Sequence, residues 1–279
     1  MELKELQDRL FGILSFFDEL CQKLGLKYYL AYGSLLGGVR HKGFIPWDDD
    51  VDVWMPRKDF DKLYEYLTKE KPSERYFLNV GKYKAECDRA SKFQMRIVDS
   101  KTKVYKPVSG MKMDFFLWMD IFALDQYPEN AEKKYIKSFK KRLLWYKIAR
   151  CKTVVLKDGF LKTTMNKVIY FLHNKLGFFK RCLNEEKEID KAYKVLVKYE
   201  GDESANKYFS YAAVYFGNVK KCTFDKSLFE ETVRLDFLTK KICAPSRFDE
   251  VLTQIYGDYM KLPKEEDRVT HEIEVIKAE

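Results

Sequence analysis

The sequence predicts an α+β protein with an α/β-like core, a mixed sheet flanked by helices and carrying a helical insertion. Three observations support this. Apolar residues recur at helical spacing from Leu3 to Leu24. Short strand-like runs then alternate with helical ones as far as Leu124. From about residue 129 to 201, lysines and aromatics dominate at helical spacing. The expected organisation is one catalytic unit over 1–279: a core at 26–125, a helical segment at 129–201, and a C-terminal part at 202–279 that packs on the core.

In the first helix, Leu3, Leu6, Leu10, Ile13, Leu14, Phe17, Leu20 and Leu24 form one buried face, and Gly25 is a natural stop. Tyr28–Tyr32 reads as a strand that Gly33-Ser34 breaks, and Leu35–Val39 as the start of a short helix. A turn through His41, Lys42, Gly43 and Pro46 leads to a second strand, Val51–Met55, which Pro56 ends. Lys58–Glu70 is helical, with Phe60, Leu63, Tyr64 and Leu67 on one face. Tyr76–Val80, Lys92–Val98 and Met113–Leu124 are strands. After Gly201 come short strands within Tyr208–Phe216, a last helix at Phe248–Tyr256 and a polar tail.

Composition narrows the function. A chain of 279 residues that is 46% hydrophobic and 16% aromatic can bury a full core and is not disordered. No apolar run approaches the roughly 18 residues of a membrane span. The N-terminus carries acids and no small-residue cleavage site, so it reads as an amphipathic helix and not a signal peptide. The cysteines Cys21, Cys87, Cys151, Cys182, Cys222 and Cys243 are scattered with no CxxC, which favours a reducing, cytoplasmic setting over a disulfide framework or zinc site. The formal charge of +9 fits either a lysine-rich solvated surface or an acidic partner. Nucleic acid is disfavoured, because no recognition motif is present and the basic residues are interspersed with acids.

The chemistry concentrates in YYLAYGSLLGGVRHKGFIPWDDDVDVW, Tyr28 to Trp54. Asp48, Asp49, Asp50 and Asp52 crowd the mouth of a strand, where like charges cost free energy unless a cation compensates them. In an extended chain Asp50 and Asp52 share a face and can hold one or two hard cations, Mg²⁺ or Mn²⁺. Two metals can clamp the attacking and leaving oxygens of a displacement at phosphorus. Asp120, charged between Met119 and Ile121, is the candidate third acid. Asp114 is a second choice, and Asp125 reads equally as a turn residue. Asp49 is expected to face solvent. The Gly33-Ser34 turn presents N–H groups and a hydroxyl to an anion. Gly37-Gly38 allows close backbone approach, and Arg40 and His41 are placed to reach phosphate oxygens, though each is also an ordinary surface residue.

A Gly-Ser turn followed by an Asp-x-Asp strand and a later third acid resembles the nucleotidyltransferase superfamily. The string GSLLGGVRHKGFIPWDDDVDVWM is similar to the LicD family, to which fukutin-type proteins are related. The resemblance extends to Met119-Asp120-Ile121-Phe122 with Leu124-Asp125, and to Tyr256-Gly257-Asp258-Tyr259-Met260 with Pro263. It implies a nucleotidyltransferase-type fold and transfer of a phospho-alcohol from a CDP-alcohol, CDP-choline favoured, to a sugar of a surface glycan such as lipopolysaccharide or teichoic acid. It further implies Asp50, Asp52 and Asp120 as metal ligands, with Asp120 alternatively the base, and Asp48 as an acid in the second rank. Gly33 and Ser34 would hold donor phosphates, Lys92 and Arg96 would neutralise the diphosphate, and Arg268 and His271 would close over the site. Two rival readings are a nucleotidyltransferase moving NMP from an NTP, and a catalytically inactive binding module. Lys162–Arg181, apolar residues among basic ones, would suit an anionic membrane surface, or else packs as an ordinary helix.

Overall fold

The computed structural model describes residues 2–79, 93–108, 111–150, 171–172, 184–212, 218–268 and 273–278. The chain divides into two compact units, Met1–Gln126 with Asn206–Glu279, and Tyr127–Ala205.

The first unit begins with α1 (Leu3–Leu24), which buries Leu6, Leu10, Ile13, Leu14 and Phe17. Removing such side chains from water contributes about 1.5–3 kcal/mol each. Gly25 ends the helix at φ 63°, the left-handed conformation the sequence requires of it. The chain then enters β1 (Tyr29–Leu30), α2 (Tyr32–His41), β2 (Asp52–Pro56), α3 (Arg57–Lys69), β3 (Tyr76–Leu78), β4 (Gln94–Val108) and β5 (Met111–Tyr127). The strand expected at Tyr28–Tyr32 is shorter, because Tyr32 already belongs to α2 and takes φ 44°.

After the second unit come β6 (Lys207–Ser210), β7 (Thr223–Asp225), β8 (Thr232–Phe237) and β9 (Lys240–Pro245). The last helix of this unit spans Phe248–Tyr256, and the polar tail forms β10 (Glu274–Ala278). Strands β1, β2, β5, β4 and β10 lie side by side in that order, with β3 also on β4 and β6 on β5 and β7. β2 and β5 run parallel, and β1–β2, β3–β4, β4–β5 and β4–β10 are antiparallel. This makes a mixed sheet with helices against it, the predicted α+β architecture. β8 and β9 form a separate hairpin.

In the second unit, α4 (Glu132–Arg150) packs on α5 (Glu185–Leu196), burying Tyr135, Ile136, Phe139 and Leu143 with Ile189, Ala192 and Leu196. The Tyr135 hydroxyl donates to the Leu196 carbonyl at 3.0 Å. Lys162–Arg181, read as a possible membrane contact, lies outside the described residues except for Phe171 and Leu172. Among the described residues no helix is long and apolar enough to cross a membrane.

Candidate active site

The site grows from the β1–α2 connection. Ala31 is extended and bonds its N–H to the Asp52 carbonyl at 3.0 Å. Tyr32 then turns the chain into α2, so Gly33 and Ser34 form its first turn. Positive φ at a non-glycine residue stores strain of order 1–3 kcal/mol. The buried Tyr32 ring, edge-on to Trp54 at 4.7 Å, holds the residue there. Ser34 is buried, and its hydroxyl oxygen accepts the Asp52 N–H at 2.9 Å, tying the helix start to the first residue of β2.

The segment from Lys42 to Val51 delivers the acids. The predicted close approach at Gly37 occurs, but what approaches is this same chain. A Cβ on Gly37 would stand 2.4 Å from the Gly43 carbonyl oxygen and 3.1 Å from the Ile45 nitrogen. Asp48 N–H closes a turn on the Ile45 carbonyl at 2.9 Å. From α1, the buried Gln7 amide donates to the carbonyls of Ile45 (3.2 Å) and Asp48 (2.9 Å). The Asp48 carboxylate lies over Gly33, where a Cβ would come within 2.8 Å of its Oδ2.

Asp49, expected in solvent, is instead buried at 4% exposure, and its Oδ2 accepts the Ile273 N–H at 3.4 Å. The segment leading into β10 covers it, a long-range packing event that local sequence does not encode. Asp50 precedes β2, whose first residue is Asp52, so the strand-alternation argument for this pair does not hold as stated.

Asp52 and Asp120 are register partners on parallel strands β2 and β5, and Asp120 N–H bonds the Val51 carbonyl at 2.9 Å. Asp120 Oδ1 accepts from Gln94 (2.5 Å) and Arg96 (2.6 Å), and its Oδ2 from Trp118 Nε1 (3.0 Å). Arg96 also lies over the Trp118 ring, 4.7 Å from its centroid. Desolvation, then Asp50, Asp120 and Asp48, push the Asp52 carboxyl well above the usual carboxylate range, while Arg96 pulls it down. Among the described residues, no three Asp, Glu, His or Cys side chains stand ready to close around a metal ion.

The other sequence-nominated residues lie in two places. Arg40 Nε donates to His41 Nε2 at 2.9 Å, and Arg40 Nη1 to the Tyr259 carbonyl at 2.8 Å. Burial, and then the Arg40 charge, lower the His41 pKa, which fits an imidazole that accepts a hydrogen bond. Lys92 and His271 lie outside the described residues. Arg268 places its guanidinium over Trp47, 4.4 Å from the ring centroid.

Gln7, Gln94, Trp118 and Tyr256 were not assigned roles from sequence. Desolvation around the hydroxyl, and then Asp48, Asp52 and Asp50, raise the Tyr256 pKa above its ordinary value although the residue as a whole is 40% exposed, which puts its hydroxyl within electrostatic reach of the cluster. Two visible signals were Gln7, polar on an otherwise apolar helix face between Leu6 and Leu10, and Tyr256, which opens the Tyr256–Met260 motif.

Residues 25–142 match the family model described as LicD/FKTN/FKRP, nucleotidyltransferase domain. With the mixed sheet and the paired Asp52 and Asp120, this defines the chain as a transferase with a nucleotidyltransferase-type domain. It is 29% identical over 282 residues to the lipopolysaccharide cholinephosphotransferase LicD of Haemophilus influenzae, covering 98% of this chain and 97% of that protein. An uncharacterized protein of Rickettsia prowazekii, RP689, is 30% identical over 121 residues, 43% of this chain and 41% of its own. Mannosyltransferase regulator 4 of Saccharomyces cerevisiae is 27% identical over 118 residues, 39% of this chain and 10% of its own. Residues 25–142 thus carry a LicD-type nucleotidyltransferase domain, and the similarity to a LicD protein runs along nearly the whole chain.

Proposed function

We propose that this protein transfers phosphocholine from CDP-choline to a sugar hydroxyl of a cell-surface glycan, releasing CMP. The glycan would be lipopolysaccharide, teichoic acid or a capsule precursor. The observation that carries the reading is the resemblance to a lipopolysaccharide cholinephosphotransferase along nearly the whole of both chains. The clustering of Asp48, Asp50, Asp52 and Asp120 supports it.

In this reaction the acceptor oxygen bonds to phosphorus as the bond from phosphorus to the CMP oxygen breaks. The hydroxyl proton leaves to a carboxylate of the cluster. Asp48, outside the proposed metal ligands, or Asp120, in the alternative role the resemblance implies, would take that proton. The N–H groups at the start of α2, around Gly33 and Ser34, would face donor phosphates. Arg96 would offset diphosphate charge, a role also proposed for Lys92, Arg40 and His41.

The acids fit a divalent cation by charge, since Asp52 is pressed on by three other carboxylates. Asp50 and Asp52 would hold Mg²⁺ or Mn²⁺, and Asp120 would join them by giving up Arg96. Such a cation, when bound, neutralises phosphate oxygens and completes its shell with them and with water. The reading sets the enzyme in the cytoplasm, meeting a lipid-carried acceptor at the inner membrane face.

The test is product analysis with CDP-choline or CTP, with Mg²⁺ and with EDTA. The expected result is Mg²⁺-dependent CMP release from CDP-choline. Pyrophosphate release from CTP would replace this reading with NMP transfer, and donor binding without either product would make the chain a binding module.

A further inference from the structure

Trp47 belongs to the same bend as the acid cluster, because the Asp48 N–H that follows it closes the turn on Ile45. Its indole is half-buried, and the Arg268 guanidinium covers one face. That guanidinium is weakly held. Its Nε is buried and has no hydrogen-bond partner among the described residues. Its ion pair to Glu265 spans 3.4 Å to a side chain that is 88% exposed, and such pairs contribute little. A buried N–H without an acceptor costs free energy, and attraction to the ring offsets part of that cost.

An aromatic face that already holds a cation is the kind of surface a quaternary ammonium selects. That cation has no N–H to satisfy, sheds its water readily, and is drawn to the ring quadrupole. We propose that the face of Trp47 is the subsite for the cationic end of the transferred alcohol, and that Arg268 is an internal cation which a trimethylammonium group displaces. The proposal rests on the phospho-alcohol reading above and adds what that reading lacks, a reason for this chain to choose a charged alcohol over a neutral one. A guanidinium that satisfied all its donors would be expensive to move. Arg268, with its Nε unpartnered, is not.

The experiment is calorimetric titration of phosphocholine against 3,3-dimethylbutyl phosphate, the isostere in which carbon replaces the ammonium nitrogen, in Mg²⁺ buffer. The wild type is expected to prefer phosphocholine by about tenfold, and Trp47→Leu to bring the two ligands within about twofold of each other. Trp47→Phe keeps part of the preference. Arg268→Gln tightens phosphocholine several-fold by removing its competitor, and tightens the isostere by no more than that. Equal affinities in the wild type, undiminished preference in Trp47→Leu, or no binding of either ligand overturns the subsite. If Trp47→Leu fails to fold by circular dichroism, the wild-type comparison and Arg268→Gln still decide. CMP release from CDP-choline, measured alongside, separates the two claims. Release without charge preference rejects the subsite alone, whereas no release from any CDP-alcohol rejects the reaction.

Discussion

Gln7→Leu should separate the positioning of the acid loop from the stability of the fold. The substitution keeps the side chain near its volume and removes the amide that donates to Ile45 O and Asp48 O at 3.2 and 2.9 Å. Each bond contributes about 1 kcal/mol net, so roughly 2 kcal/mol is lost, and about 4 kcal/mol if both carbonyls stay dry and unpaired. Urea midpoints measure that loss. The catalytic effect should be larger than stability alone explains, because the main chain of Asp48 is what Gln7 fixes. A misplacement approaching 1 Å can cost about a hundredfold in rate, so kcat for CMP release should fall by about ten- to a hundredfold. Leu10→Ala, on the same helix and fully buried, is the control. It should cost about 2–5 kcal/mol with little change in kcat of the folded protein. If Gln7→Leu lost stability but kept wild-type kcat, the claim that α1 sets the geometry of the acid loop would be refuted.

Three further outcomes follow from the same geometry. Asp50→Asn should abolish turnover while metal-free thermal stability holds or rises by up to about 1 kcal/mol, since one of the carboxylates pressing on Asp52 loses its charge. A large drop in that stability would instead mark the cluster as structural. Gly37→Ala should cost about 1–3 kcal/mol in urea and lower kcat, because the new methyl meets the backbone of Gly43 and Ile45, which cannot swing aside. Full activity in this variant would show that the loop is not pinned there. Burial would raise the Asp99 carboxyl, but Arg75, the Thr102 hydroxyl and the Lys101 N–H outweigh it and hold the pKa below the usual range. Its contribution is therefore present above the unfolded value of about 4 and lost as pH falls through the lower folded value. Asp99→Asn should destabilise more at pH 7 than at pH 3 in urea titrations, and an equal loss at both would contradict the assignment.

The elements legible in the sequence are those whose ends are set by local chemistry. α1 stops at Gly25 and the last helix runs from Phe248 to Tyr256, as periodicity and glycine placement dictate. Elements set by long-range packing were misjudged. β4 was expected to end at Val98 and runs to Val108, because β5 pairs with it along that length across an irregularity between Asp99 and Lys103. The β8–β9 hairpin was invisible because its tip places Leu238 at φ 53°, a conformation that turn rules assign to glycine or asparagine. Contacts far away in sequence explain that choice: Leu238 N–H bonds the Lys42 carbonyl at 2.7 Å, and its side chain packs on Gly43. The tail was read as polar chain end, yet β10 pairs with β4 and the residue before it bonds Asp49. Within the site, the adjacency of Asp52 and Asp120 was anticipated, since a lone acid in an apolar strand implies a neighbour that needs it. The three donors on Asp120 were not, because Gln94, Arg96 and Trp118 meet it only through strand pairing and side-chain reach.

Sequence also could not tell which acids are held by a paired arginine, and the structure shows this. Asp125, open to reading as a turn residue, is fully buried and receives a two-pronged Arg57 at 2.7 and 3.0 Å. Asp99 receives Arg75 in the same way at 2.8 and 2.9 Å. Asp18 receives Arg234 at 2.9 Å and the Tyr28 hydroxyl at 2.5 Å. Removing one partner of such a pair leaves a buried charge uncompensated, which is why these acids belong to the fold. Asp52 follows the opposite pattern. Its surroundings are Asp50, Asp120 and Asp48, opposed by Arg96, whose guanidinium is already bound to Asp120. The fold therefore holds this group of charges by main-chain constraints: Gln7 on two carbonyls, Gly37 under the loop, and Ser34 on the Asp52 N–H. Backbone bonds set where these carboxylates stand, whereas Asp125, Asp99 and Asp18 are each tied by an arginine side chain.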